Sequence, residues 1–137
     1  MDKGMPTEQI TEFQTFIMKQ LSKIGITIHS NQGIEIKYDP NFQKTGNLYI
    51  ETAEMVKSEN TKFVHSGIFK NDNSWLYIIG DYKNLYLFAT KYLRSIYPKR
   101  KSFVFVSEET TQGYLMPVAE AEQFCIKYID LADEIQK

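Results

Sequence analysis

The chain has 137 residues, 42% of them apolar and 24% charged, which suffices for one well-buried core and is too short for two ordinary domains. Its formal net charge of -1 supplies no overall field to attract a nucleic acid, so any such binding has to rest on a local patch. A single cysteine, Cys125, excludes an internal disulfide and, with only His29 and His65 to join it, argues against structural zinc. No stretch approaches about 18 uninterrupted apolar residues, and the opening MDKGMPTEQ lacks the basic start and apolar block of a signal peptide. The expectation is one domain over 1–137, soluble, cytoplasmic and without membrane contact.

From Thr7 to Lys23 the apolar residues Ile10, Phe13, Ile17, Leu21 and Ile24 keep helical spacing, and Gly25 stands where a helix commonly ends. Next, ITIH and GIEIKYD flank the turn-forming Asn31-Gln32-Gly33, which predicts two short strands. The second alternates Ile34, Ile36 and Tyr38 against Glu35, Lys37 and Asp39. A loop, PNFQKTGN, leads to a third strand, LYIETA, whose alternation puts Tyr49, Glu51 and Ala53 opposite Leu48 and Ile50. Residues 55–73 are polar and aperiodic and are expected to form a loop or short helix.

SWLYIIG and LYLFAT, joined by Asp81-Tyr82-Lys83-Asn84, suit a hairpin. Thr90 is placed to cap a short helix that Pro98 stops, and a second hairpin runs from FVFVSE to GYLMPV through ETTQG. A final helix is expected from the spacing of Ala121, Cys125, Tyr128, Ala132 and Ile135. The order implies an α/β or α+β fold, a mixed sheet covered by helices on at least one side.

Asp39 and Glu51 end two neighbouring strands on the faces opposite their apolar residues. Two such carboxylates offer the hard oxygen ligands that a magnesium ion prefers. The bland alternative is a polar sheet face beside a turn. The two histidines lack a nucleophile or metal partner and form no catalytic set. In YPKRKSF, Lys99, Arg100 and Lys101 follow the helix carrying Lys91 and Arg94, a candidate phosphate-contact patch or a solvated turn. Trp75, Tyr77, Tyr82 and Tyr86 have the chemistry to stack on unpaired bases, though strand packing accounts for Trp75 and Tyr77.

The succession of helix, D…GNLYIE, a polar segment with SGI, DNSWLYI, a hairpin and short helix, then QGYLMPV, resembles the PD-(D/E)XK nuclease-like proteins. Those proteins have the restriction-endonuclease fold, and the likeness is to their small phage and mobile-element versions. It spans Ile34 to Phe124. It implies Asp39 and Glu51 as ligands of Mg2+ or Mn2+, with the Thr52 carbonyl as a further ligand, and DNA as substrate. A homodimer would suit cutting both strands of a duplex. The family's lysine, two residues after the Glu, is replaced here by Ala53. Lys37, on the same strand face as Asp39, is the substitute in reach; Lys57 and Lys62 require the following loop to fold back, and Glu54 is a further acid. The first helix of such proteins often adds a Glu, which points to Glu12, although that residue lies well off the apolar stripe. Asp72 and Ser66 fall in the SGI…D..W segment, where turn capping is the plain alternative. Loss of the lysine equally suits a non-catalytic relative that binds DNA or, as an anti-defence module, another protein.

Overall fold

A computed structural model describes residues 7–26, 33–56, 62–71, 73–100, 105–107 and 111–131, without the side chains of 7–11 and 105–107. Helix α1 (Thr7–Lys23) has its expected bounds, and it buries Phe13, Ile17 and Leu21 while Glu12, Thr15 and Lys19 face outward. It ends in a Schellman motif: Ile26 N–H donates to Leu21 O (2.8 Å) and Gly25 N–H to Ser22 O (3.1 Å). That closure needs a left-handed residue, which Gly25 supplies at φ 89.

The strands form two four-stranded sheets where the sequence implied one. The central sheet has the order β1 (Ile34–Tyr38), β4 (Leu76–Gly80), β5 (Asn84–Ala89), β8 (Lys127–Asp130). It is mixed: β1 runs parallel to β4, and the other neighbours are antiparallel. The second sheet, all antiparallel, has the order β3 (Phe63–His65), β2 (Asn47–Met55), β7 (Thr111–Pro117), β6 (Phe105–Ser107). Both predicted hairpins are present, as β4–β5 and β6–β7, although turn residues 108–110 lie outside the described residues.

The central sheet is apolar on both faces, which explains the unbroken run Leu76–Gly80, buried at every position. One face meets α1 through Ile36, Leu76, Ile78, Leu85, Leu87 and Ile129. The other, through Tyr77, Ile79, Tyr86 and Phe88, meets Leu48, Ile50, Tyr114 and Met116 of the second sheet. Short helices α2 (Phe42–Thr45), α3 (Thr90–Ile96) and α4 (Val118–Phe124) close that second core with Phe42, Leu93 and Ala121.

Four expectations need correction. PNFQKTGN contains α2 because Phe42, 2% exposed, anchors it in the core. The polar stretch 55–73 contributes β3 and a 3-10 turn, Gly67–Phe69. Thr90 is the first residue of α3, not its cap: Ala89 holds the cap position, and the buried Thr90 hydroxyl has no partner among the described residues. The final helix stops at Phe124. Tyr128 and its neighbours form β8, because pairing with β5 satisfies backbone groups that an isolated helical turn leaves open. Ala132 and Ile135, like the ITIH strand beyond Ile26 and the Asn31-Gln32 turn, lie outside the described residues.

Candidate functional site

β1 is an edge strand, and its alternation sends Ile36 into the core beneath α1 and Lys37 toward β2 of the second sheet. Asp39 follows immediately, its N–H donating to Gly80 O (2.8 Å). Its carboxylate joins the two sheets: Oδ2 accepts from Tyr49 N–H (2.9 Å), and Oδ1 accepts from Asn41 N–H (3.3 Å), an Asx turn. Burial pushes the Asp39 carboxyl above the ordinary 3.8, the two N–H donors oppose that rise, and the Asp81 carboxylate adds to it.

Tyr49 lies two residues before Glu51 on β2, and just beyond Glu51 the strand carries a β-bulge. Glu51 pairs with Gly113 and Ala53 with Gln112, so Thr52 is the extra residue. Thr52 and Ala53 are both buried, and the two-residue rule that would put Ala53 on the face of Glu51 fails across the bulge. Ala53 therefore says less about a missing lysine than strict alternation implied.

The SGI segment clamps this bulge. Ser66 N–H donates to Thr52 O (3.1 Å), and Ser66 Oγ donates to Glu51 Oε2 (2.5 Å). Gly67 sits so close to Glu51 that an added Cβ would lie 2.1 Å from its carbonyl oxygen. Its φ of 55 also favours glycine, while Ile68 is buried in the core. Ser66 stands at the N-cap position of the 3-10 turn, but its hydroxyl makes no cap bond there and holds Glu51 instead.

Lys37 Nζ lies 3.4 Å from Glu35 Oε2 and 3.9 Å from Glu51 Oε1. Its side chain is 31% exposed and those of the two glutamates less than 20%, so the triad is partly shielded from solvent. Tyr77, opposite Glu35 in the β1–β4 register, is buried, and its hydroxyl has no partner among the described residues. Burial, then the charges of Glu51, Glu35 and Asp39, hold that phenol well above its ordinary 10. Sequence reading missed Glu35 and Tyr77. The alternation Glu35-Lys37-Asp39 was a usable signal for the first, and nothing local marked the second.

Other candidates lie apart. Glu12 lines an open groove of about 450 Å³ with Thr15, Phe16 and Tyr82. Glu54 is exposed beyond the bulge, opposite Val64, and Lys62 stands at the same far end, where its carbonyl accepts from Val56 N–H. Arg100 pairs with Glu120 and covers the Tyr114 ring at 5.5 Å; Arg94 Nε donates to Ile68 O. Both arginines of the basic patch are thus tied into the fold, whereas Lys91 and Lys99 are exposed. Trp75 is 59% and Tyr82 40% exposed, while Tyr77 and Tyr86 are core residues, as strand packing implied for Tyr77. Cys125 is half-buried against the core, its thiol raised by burial. Asp72, Lys57, Lys101 and His29 lie outside the described residues.

Among the described residues no group of three or more His, Cys, Asp or Glu could hold a metal ion on its own. Asp39 and Glu51 are oxygen donors of the type preferred by magnesium, which is commonly held by one or two carboxylates with water and substrate phosphate, but the carboxylate whose charge acts on Asp39 is Asp81 and not Glu51. Among the described residues no helix is long and apolar enough to cross a membrane. No protein-family model, curated protein or solved structure matches this chain.

Proposed function

We propose that this chain is a magnesium- or manganese-dependent deoxyribonuclease of the PD-(D/E)XK, restriction-endonuclease-like kind, hydrolysing DNA phosphodiester bonds with Asp39, Glu51 and Lys37. The observation that carries this reading is the Lys37 ammonium 3.9 Å from the Glu51 carboxylate. It brings from the adjoining edge strand the cation that the sequence lacks at Ala53.

Asp39 and Glu51 would hold the divalent ion, which when bound offsets phosphate charge and acidifies water. Lys37, between Glu35 and Glu51, would orient the attacking water and offset charge developing on the phosphate. Ser66 fixes the rotamer of Glu51, and the Tyr49 and Asn41 amides fix that of Asp39. Lys99 and Lys91 remain for backbone phosphates, a role in which Arg100 would first have to leave Glu120.

A second reading, a non-catalytic DNA- or protein-binding module on the same scaffold, is favoured by one observation. Both oxygens of Glu51 already face partners, Ser66 on one side and Lys37 on the other. Nicking of supercoiled plasmid and of branched DNA separates the two readings, with magnesium, manganese or EDTA and with Asp39→Ala and Glu51→Ala. The nuclease reading expects metal-dependent nicking lost in both variants; DNA binding without cutting, indifferent to EDTA, would favour the module.

A further inference from the structure

Tyr77 is 1% exposed, and its hydroxyl has no acceptor among the described residues. A buried donor without an acceptor is unfavourable, and phenylalanine would fill the same core position without that cost. The ring belongs to the core between the two sheets, packed among Leu48, Ile50 and Ile79, so its volume is accounted for and its oxygen is not. The charges that act on that oxygen are those of Glu51 first, then Glu35 and Asp39. Register places Tyr77 directly across from Glu35 on the neighbouring strand. The hydroxyl is therefore a buried donor on the strand that neighbours Glu35 and Lys37.

Glu51 is held here by Ser66 on Oε2 and approached by the Lys37 ammonium on the Oε1 side. A divalent cation at the carboxylates would weaken the hold of that ammonium on Oε1 by repulsion, while Lys37 keeps its place in the site beside Glu35. A neutral donor suffers no such repulsion. A phenol is neutral near neutral pH and so remains a donor.

Resting on the functional reading above, we propose that Tyr77 is a positioning residue of this site. Its hydroxyl supplies the inner hydrogen bond that fixes the Glu51 carboxylate when the site binds a divalent cation.

The test is Tyr77→Phe in the full chain, with Mn2+ affinity by calorimetry, melting temperature without metal, and kcat and KM for plasmid nicking. Loss of an outer hydrogen bond to a metal ligand typically weakens metal affinity or activity about 10- to 100-fold. The expected result is a Mn2+ affinity reduced by roughly that factor and a lower kcat at unchanged KM, with an unchanged or higher melting temperature. A lower melting temperature with wild-type Mn2+ affinity would make the hydroxyl structural and overturn the proposal. Wild-type protein that binds Mn2+ and nicks, matched by Tyr77→Phe in both, overturns this proposal alone. Wild-type protein that neither binds Mn2+ nor nicks overturns the functional reading and this proposal with it.

Discussion

The central sheet meets α1 with one face and the second sheet with the other, and the two faces are built to different ends. Beneath α1 the core is an apolar cluster: Phe13, Ile17 and Leu21 pack with Ile36, Ile78, Leu85 and Leu87. The opposite face begins the same way at Ile79 and Phe88 and then changes character toward β1, where Lys37 and Glu35 pair on the strand beside Tyr77 and Asp39 follows at its end. The first arrangement gains stability from each buried methylene, about 0.8 kcal/mol apiece. The second spends stability, since it desolvates a carboxylate and strands a phenol. That cost is the physical basis on which the proposed site is placed on this face.

The largest effect that would sharpen this contrast lies on the apolar face. Ile17→Ala, at a fully buried position, is expected to lower unfolding free energy by about 2–5 kcal/mol in a denaturant titration and leave metal binding by the folded fraction unchanged. Next comes Gly67→Ala, whose new methyl would meet the Glu51 carbonyl. Forcing it in should cost about 1–3 kcal/mol and, unlike Ile17→Ala, also weaken Mn2+ binding by the folded protein, because the bulge carrying Glu51 must shift. Ser66→Ala removes one hydrogen bond to a part-buried carboxylate, for about 1 kcal/mol measured the same way, with a larger proportional loss in nicking. If Gly67→Ala behaved as Ile17→Ala does, affecting stability alone, the contrast between the faces would break.

The smallest effect is in pH. The Asp39 carboxyl is raised in the folded state, so between the ordinary 3.8 and its raised value the folded chain holds more protons than the unfolded one. Its contribution is therefore present at low pH and is lost as pH rises through the raised value. Comparing the stability curves of wild type and Asp39→Asn without metal should reveal that declining component in wild type alone. Saturating Mn2+ should restore stability above this window, since the ion favours the ionised carboxylate.

How far the chain could be read follows the same division. The face beneath α1 was legible because burial there is periodic, in helical steps from Phe13 to Leu21 and in alternation through Ile36. The β4–β5 hairpin was legible for the same reason. β8 was not, because Cys125, Tyr128 and Ala132 fit a helical period while Tyr128 and Asp130 fit a strand, and the partner strand β5 decides between them. In the site, Asp39, Glu51 and Lys37 were readable as polar positions on strand faces. The bulge at Thr52 was hidden because it exists only relative to Gln112 on β7. The grip of Ser66 on Glu51 was hidden because it spans a stretch without periodicity.

The central claim is that Lys37 supplies the lysine of the proposed site from β1. Nicking of supercoiled plasmid in magnesium by Lys37→Met, compared with wild type at equal folded fraction, tests it most directly. The account predicts metal-dependent nicking by wild type and a loss of roughly 100-fold or more in the variant, the scale on which positioned proton-handling groups act. A variant that nicks as fast as wild type would contradict it.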